Sequence, residues 1–161
     1  MPDLPKKKVG LIACSGEELA EGTVTRRAVR TVLETLRPED TVTLCLPLFL
    51  AGGEGERAFA RHYPTIAVDG CAKRCAARAT EKYSAKPAAS IVVEEIGAER
   101  GCKAIGTPRK LNDAGKGLAE AVAEKIAAET DRLLKRSREK TPGPDEKPCG
   151  CKCGSGSGGE K

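Results

Sequence analysis

The chain has 161 residues, enough for one hydrophobic core, and a formal net charge of +5 from 28 basic and 23 acidic residues. The charges are interspersed, only 2% of the residues are aromatic and tryptophan is absent, so the composition argues against a nucleic-acid-binding surface. No run approaches the roughly 18 apolar residues of a membrane helix, and the start of the chain lacks a signal peptide, so we expect a cytoplasmic protein.

Short aliphatic runs alternate with amphipathic segments along most of the chain. The pattern predicts strands at residues 8–13, 41–46, 65–69 and 89–94, and helices at residues 25–36, 54–60, from about 70 onward, and 113–136. Strands separated by helices run parallel, with right-handed crossovers. The sequence therefore predicts an α/β fold, an open doubly wound four-stranded sheet of the three-layer flavodoxin or Rossmann-like type, with strand order 2-1-3-4.

The composition changes near the C-terminus. Residues 141–148 are rich in proline, glycine and charge, and residues 155–161 are mostly glycine and serine. We predict an α/β domain over residues 1–138, followed by a flexible, cysteine-containing tail over residues 139–161.

Eight cysteines in a reducing compartment indicate metal binding or thiol chemistry rather than a disulfide framework. Cys14 and Cys71 follow the first and third predicted strands, and Cys45 lies at the end of the second. Because parallel strands end at one edge of a sheet, we expect these thiols to meet there. Cys75 lies four residues after Cys71 and shares its face on the predicted helix. Together the four thiols match a tetrahedral zinc (Zn²⁺) site.

The local chemistry of the motif also favours thiolates. Cys14 and Cys71 are placed at loops that lead into helices, where backbone N–H groups stabilise a negative charge. Zinc with four thiolates would carry a charge of about −2, which Lys73, Arg74 and Arg78 could offset. The simpler interpretation is that the cysteines are small core residues and that the spacing of Cys71 and Cys75 arose by chance.

Four other cysteines are weaker candidates. Cys102 follows the fourth strand and is expected to be a buried bystander. Cys149, Cys151 and Cys153 alternate along the tail, which is a spacing that can chelate soft ions such as Cu(I) or Zn(II). The alternative is that these three tail thiols are incidental on a disordered segment, and both interpretations stay open.

Two polar residues beside the third strand have structural explanations. Asp69, before Gly70 at a sharp turn, is expected to cap the following helix, with ligand orientation as the alternative. His62 is the only histidine in the chain. It falls in a predicted loop and is expected to be a surface residue.

Several short motifs resemble those of a known family: Cys14-Ser15-Gly16, Leu44-Cys45-Leu46, Val68-Asp69-Gly70-Cys71 and Cys75-Ala76. On these residues the chain resembles the DGC domain family over about residues 9–97. The family is described as zinc-binding because of four cysteines, which match Cys14, Cys45, Cys71 and Cys75. The resemblance therefore implies one shared metal site.

We predict a cysteine-rich protein that holds zinc, or another thiophilic ion, in metal storage, sensing or delivery. Its expected partners are the metal ion and a protein that receives it, with neither nucleic acid nor a membrane. The alternative is a thiol-dependent enzyme that uses Cys71 or Cys14 as a nucleophile in sulfur, arsenic or disulfide chemistry. A third hypothesis is an interaction module whose loops are held by zinc.

Overall fold

Four parallel strands form the centre of the fold in a computed structural model, of which residues 7–139 are described. The strands are β1 (Val9–Ala13), β2 (Thr41–Thr43), β3 (Thr65–Asp69) and β4 (Ala89–Val92). The helices are α1 (Ala20–Thr31, continued by a π-helical turn, Val32–Leu36), α2 (Leu46–Ala51), α3 (Glu54–Arg57), α4 (Phe59–His62), α5 (Cys75–Tyr83), α6 (Val93–Glu99) and α7 (Asp113–Glu139).

The sheet has the order β2-β1-β3-β4, and all three strand pairs are parallel. This confirms the predicted fold class and the order 2-1-3-4. Because every strand runs the same way, the C-terminal ends of all four lie at one edge of the sheet, which we call the C-terminal edge. The loops that follow the strands are therefore neighbours there.

Side chains alternate between the two faces of the sheet, as the two-residue period of a strand requires. Leu11 and Val68 point into the larger core, which is shared with α1, α6 and α7. Ile12 and Ala67 point into a second, smaller core with residues of α2 and α5, and Cys14 belongs to this second core. Helices thus cover both faces, which is the doubly wound arrangement.

The second strand is shorter than predicted. It ends at Thr43, and Cys45 directly precedes a short helix that the sequence pattern did not predict. Leu46 and Phe49 are buried three residues apart on one face of this helix, and Pro47 fits the first turn because no helical partner exists there for its missing N–H. The prediction of a strand over residues 41–46 was therefore wrong after Thr43.

The fourth strand is also shorter than predicted, and another helix follows it. β4 ends at Val92, and α6 begins at Val93 with Ile96 and Gly97 buried on the same face. The valines of this segment are β-branched residues that favour strands, and they concealed the helical spacing of the buried positions. The prediction that the strand reaches residue 94 was wrong for this reason.

The other helix boundaries shift by smaller amounts. The first helix begins at Ala20 rather than at residue 25, because Ala20 and Val24 extend its buried face. The predicted helix over residues 54–60 is two short helices that meet at Ala58. The last helix runs from Asp113 to Glu139, close to the predicted 113–136.

The predicted tail from residue 139 onward, with Cys149, Cys151 and Cys153, lies outside the described residues apart from Glu139. Its separation from the α/β domain stays a prediction. Within residues 7–139, no helix combines the length and the apolar composition needed to cross a membrane.

Three glycines allow the backbone of two loops to approach α1 closely. Gly22, in the first turn of α1, faces the Gly16 carbonyl, and a Cβ at position 22 would overlap that oxygen. Gly16 itself has a φ of +48°, a conformation that glycine adopts at little cost. A Cβ on Gly70 would lie 3.0 Å from the backbone nitrogen of Gly22. This close contact brings the loop after β1 against the loop after β3.

We predict that Gly22→Ala lowers the free energy of unfolding by about 1–3 kcal/mol, because the new methyl group must displace backbone atoms. Urea denaturation of the reduced, metal-free protein measures this change. Gly117→Ala is the matched control, since a Cβ at this position in α7 meets no atom within 4 Å. The control should be neutral or stabilising by up to about 1 kcal/mol. Equal stability of the two variants would contradict the close-packing argument.

Candidate functional site

Cys14 lies at the centre of the C-terminal edge. It follows β1 directly, its backbone N–H donates to the Val68 carbonyl at 2.9 Å, and only 7% of its surface is exposed. Its sulfur accepts a hydrogen bond from the Gly70 N–H at 3.2 Å. The Cys14 sulfur is therefore in contact with the loop that carries Cys71.

Burial raises the pKa of the Cys14 thiol above its ordinary value. The nearby charges of Asp69 and Cys75 act in the same direction, while hydrogen bonds from Gly70 and Thr25 lower the pKa in part. The expectation that a helix N-terminus favours a thiolate at Cys14 was wrong, since α1 begins only at Ala20 and desolvation dominates. Cys14 is a neutral thiol at neutral pH.

Cys45 shares a cavity with Cys14. It is exposed, two residues beyond the end of β2, and both cysteines line a mostly apolar cavity of about 400 Å³. Arg26 and Arg30 of α1 line the same cavity. The prediction that Cys45 lies near Cys14 at this edge agrees with this shared cavity, although Cys45 precedes a helix instead of ending a strand.

Cys71 and Cys75 flank a short turn before α5. The Arg74 N–H donates to the Cys71 carbonyl at 3.1 Å, and Arg74 has a positive φ of 51°. Cys71 is half-buried in the turn, whereas Cys75 is exposed and is the first residue of α5. The prediction that both lie on one helical face was wrong, because the left-handed Arg74 separates Cys71 from the helix. The two thiols are instead positioned by the turn.

Asp69 joins the end of β3 to the start of α5. Its side chain is buried and accepts hydrogen bonds from the Ala76 N–H at 2.7 Å and the Ala77 N–H at 3.0 Å. The expected helix-capping role is confirmed, across the whole intervening turn. Burial raises the pKa of the Asp69 carboxyl, and the two N–H donors and Arg74 lower it in part.

Sequence reasoning missed Glu94, which supports the same turn from α6. Its carboxylate accepts a hydrogen bond from the Ala72 N–H at 3.1 Å. The available signal was its place at the end of the fourth predicted strand, on the edge where the cysteines were expected. That signal was not used because residue 94 was assigned to the strand itself.

Cationic side chains surround the turn between Cys71 and Cys75. Lys73, Arg74, Arg78 and Lys86 line a cavity of about 470 Å³ next to the start of α5. The first three are the cations that the sequence placed beside the motif, and Lys86 was missed because it lies beyond α5. Glu81 lines the same cavity, so its described lining carries four cations and one anion.

The four cysteines share one edge without enclosing a common point. Across residues 7–139, no group of three or more His, Cys, Asp or Glu side chains is positioned to hold a metal ion. Cys102 is half-buried against the larger core and takes no part in the edge. His62 is exposed and precedes β3, so it lies toward the opposite edge of the sheet. The expectation of a surface histidine is confirmed.

The model of one known protein family matches most of the chain. The model of the DGC domain matches residues 10–126. The chain belongs to the DGC domain family. No curated protein and no solved structure matches it.

In this DGC domain, the three residues Asp69, Gly70 and Cys71 have distinct structural roles. The Asp69 carboxylate caps α5, and the Gly70 N–H donates to the Cys14 sulfur. Cys71 begins the turn that leads to Cys75. The motif thus joins β3, α5 and the Cys14 thiol.

We predict that iodoacetamide modifies Cys45 and Cys75 at least about tenfold faster than Cys14 in the reduced, metal-free protein at neutral pH. Cys45 and Cys75 are exposed, whereas Cys14 is buried and its pKa is raised by desolvation. Timed quenching followed by peptide mass spectrometry resolves each cysteine. The labelling rate of Cys14 should keep increasing at alkaline pH, where its thiol ionises. The stability that the neutral Cys14 thiol contributes is also lost as pH rises through its raised folded-state pKa. Equal rates in the folded protein would refute the burial argument, and urea-unfolded protein is the control.

We also predict that Asp69→Ala lowers the free energy of unfolding by about 1–3 kcal/mol, since two backbone N–H groups lose their acceptor. Asp69→Asn keeps one acceptor oxygen and should cost less. Urea denaturation measures both. Asp113→Ala is the control, because Asp113 is exposed and its ion pair with Lys116 is worth little. A loss no larger than that of the control would show that the cap is not stabilising.

Proposed function

We propose that this DGC domain binds a thiophilic metal ion, with zinc (Zn²⁺) as the first candidate, through Cys14, Cys45, Cys71 and Cys75. One observation carries the proposal. The Cys14 sulfur is hydrogen-bonded to the loop that leads to Cys71, and Cys14 shares a cavity with Cys45. The Cys14 thiol thus shares a cavity with one of the other three cysteines and contacts the loop that carries Cys71.

The donor chemistry supports a soft or borderline ion. Thiolates prefer zinc and Cu(I) over calcium or magnesium, and four of them complete a tetrahedral zinc site. The resulting negative charge would lie beside Lys73, Arg74 and Arg78, which line the adjoining cavity. Attraction to these cations offsets part of the cost of bringing four thiolates together.

Metal binding on this proposal requires a local rearrangement of side chains. Within residues 7–139 no three of these donors are positioned around one ion, and the exposed side chains of Cys45 and Cys75 are the ones expected to move. The neutral Cys14 thiol must release its proton, so affinity should increase with pH. A binding site that closes on its ion suits storage, sensing or delivery, and a protein that receives the metal is the expected partner.

The alternative of a thiol enzyme has less physical support at Cys14. A nucleophilic cysteine needs a lowered pKa, and burial raises that of Cys14. Cys71 lies outside α5 and is separated from its first turn, so the helix dipole does not act on it directly. The metal-binding proposal needs no preformed thiolate, because the ion itself favours deprotonation.

The test is elemental analysis of the full chain purified without added metal. We predict about one zinc or other thiophilic ion per chain, as a single tetrahedral site requires. Cys71→Ser should lose the ion, while Cys102→Ser, the matched control at a cysteine away from the edge, should retain it. A variant with Cys149→Ser, Cys151→Ser and Cys153→Ser should also retain it. Loss of metal only in the tail variant, or no bound metal after zinc loading, would refute the proposed site.

A further inference from the structure

A second cationic cavity lies between α1, the loop that precedes α7, and α7 itself. Its volume is about 430 Å³, and none of the described residues that line it is acidic. Three structural elements contribute its six cations: Arg26, Arg27, Arg30, Arg109, Lys110 and Lys116. Such a concentration of like charge is unfavourable without a compensating anion.

Few acidic side chains compensate these cations. Arg26 pairs with Glu17, Arg30 with Glu34, and Lys116 with Asp113. These pairs are largely exposed and each is therefore worth little.

The remaining three cations, Arg27, Arg109 and Lys110, have no acidic partner among residues 7–139. All three are exposed. The cavity thus keeps a net positive charge that is open to a ligand from solvent.

The loop that carries Arg109 and Lys110 is held in place by hydrogen bonds. The Thr107 N–H donates to the Lys110 carbonyl at 2.9 Å, and the Lys110 N–H donates to the Thr107 carbonyl at 3.2 Å. The Thr23 hydroxyl of α1 donates to the Pro108 carbonyl at 2.5 Å, which joins the loop to α1 across the cavity. The backbone that carries Arg109 and Lys110 is therefore ordered before a ligand binds, so little backbone entropy is lost on binding.

We propose that this cavity binds a small polyanion through its phosphate groups. Guanidinium groups form paired, charge-assisted hydrogen bonds with phosphate oxygens, and four of the six cations are arginines. The volume falls within the lower range of small-molecule sites, roughly 300–1,000 Å³. A nucleic-acid strand is not favoured, because no aromatic residue lines the cavity to stack on bases. Inorganic polyphosphates and phosphorylated metabolites share the required chemistry.

The cavity adjoins the cysteines without depending on the proposed metal site. Arg26 and Arg30 line both this cavity and the one that contains Cys14 and Cys45. The Arg26 guanidinium also donates to the carbonyl of Ser15, the residue after Cys14. An anion bound here would act on the same arginines that line the cavity of Cys14 and Cys45.

The test is isothermal titration of the full, reduced, metal-free chain with inorganic pyrophosphate at about 50 mM salt, where electrostatic binding is weakly screened. We expect saturable binding that weakens with added salt. Arg27→Glu with Arg109→Glu should weaken binding by about tenfold or more. The control, Arg61→Glu with Arg100→Glu, makes the same charge change at exposed arginines outside this cavity. It should change affinity by no more than about twofold.

Amide NMR spectra locate the bound probe directly. Pyrophosphate should shift resonances of residues 23–30 and 107–116, and a phosphorylated sugar should shift the same set if metabolites are accepted. Three outcomes would overturn the proposal: absence of saturable pyrophosphate binding, equal weakening in both double variants, or shifts confined to residues 72–90. Binding of an acidic peptide but not of pyrophosphate would also overturn it, in favour of a protein-docking surface.

Discussion

The buried carboxylate of Asp69 is the interaction on which the arrangement of the C-terminal edge depends. It is the last residue of β3, and it accepts hydrogen bonds from the N–H groups of Ala76 and Ala77, in the first turn of α5, at 2.7 and 3.0 Å. This contact determines where α5 begins, and hence the length of the turn that carries Cys71 and Cys75. A carboxylate buried with two N–H donors satisfies groups that would otherwise be costly to bury. The turn that carries Cys71 and Cys75 is thereby held between β3 and α5.

Close backbone packing adds the second constraint. Gly16, Gly22 and Gly70 allow the loops after β1 and β3 to meet at the start of α1, with no side chain between them. The Gly70 N–H thereby reaches the Cys14 sulfur. The same packing removes Cys14 from water and keeps its thiol neutral. The close approach of the two loops therefore disfavours the thiolate form of Cys14 in the metal-free protein. A bound cation is one physical means of reversing that preference.

Cationic cavities adjoin the cysteines on two sides, and they differ in their relation to the thiols. The cavity at the start of α5 lies beside the turn of Cys71 and Cys75, and four of its lining residues are cations. The cavity between α1 and α7 is connected to Cys14 and Cys45 only through Arg26 and Arg30. In our proposals the first supports a metal site and the second holds a separate phosphate-bearing ligand. The phosphate-bearing ligand would influence the metal site through Arg26 and Arg30, because these two arginines line both its cavity and that of Cys14 and Cys45.

Hydrophobic periodicity was sufficient to predict the alternation of strands and helices, hence the parallel sheet, and the limits of β3, because these features follow from local patterns repeated along the chain. The strand order came from the analogy with flavodoxin-like folds, and the edge at which the cysteines lie came from the parallel topology. It failed at α2 and α6, where short helices contain β-branched or proline residues and depend on packing against the sheet. The start of α5 at Cys75 depends on Asp69, and the raised pKa of Cys14 depends on burial beneath loops distant in sequence. The cationic cavity between α1 and α7 joins residues more than 80 positions apart, such as Thr23 and Pro108. Contacts of this kind form only when the chain has folded, so no local pattern could reveal them.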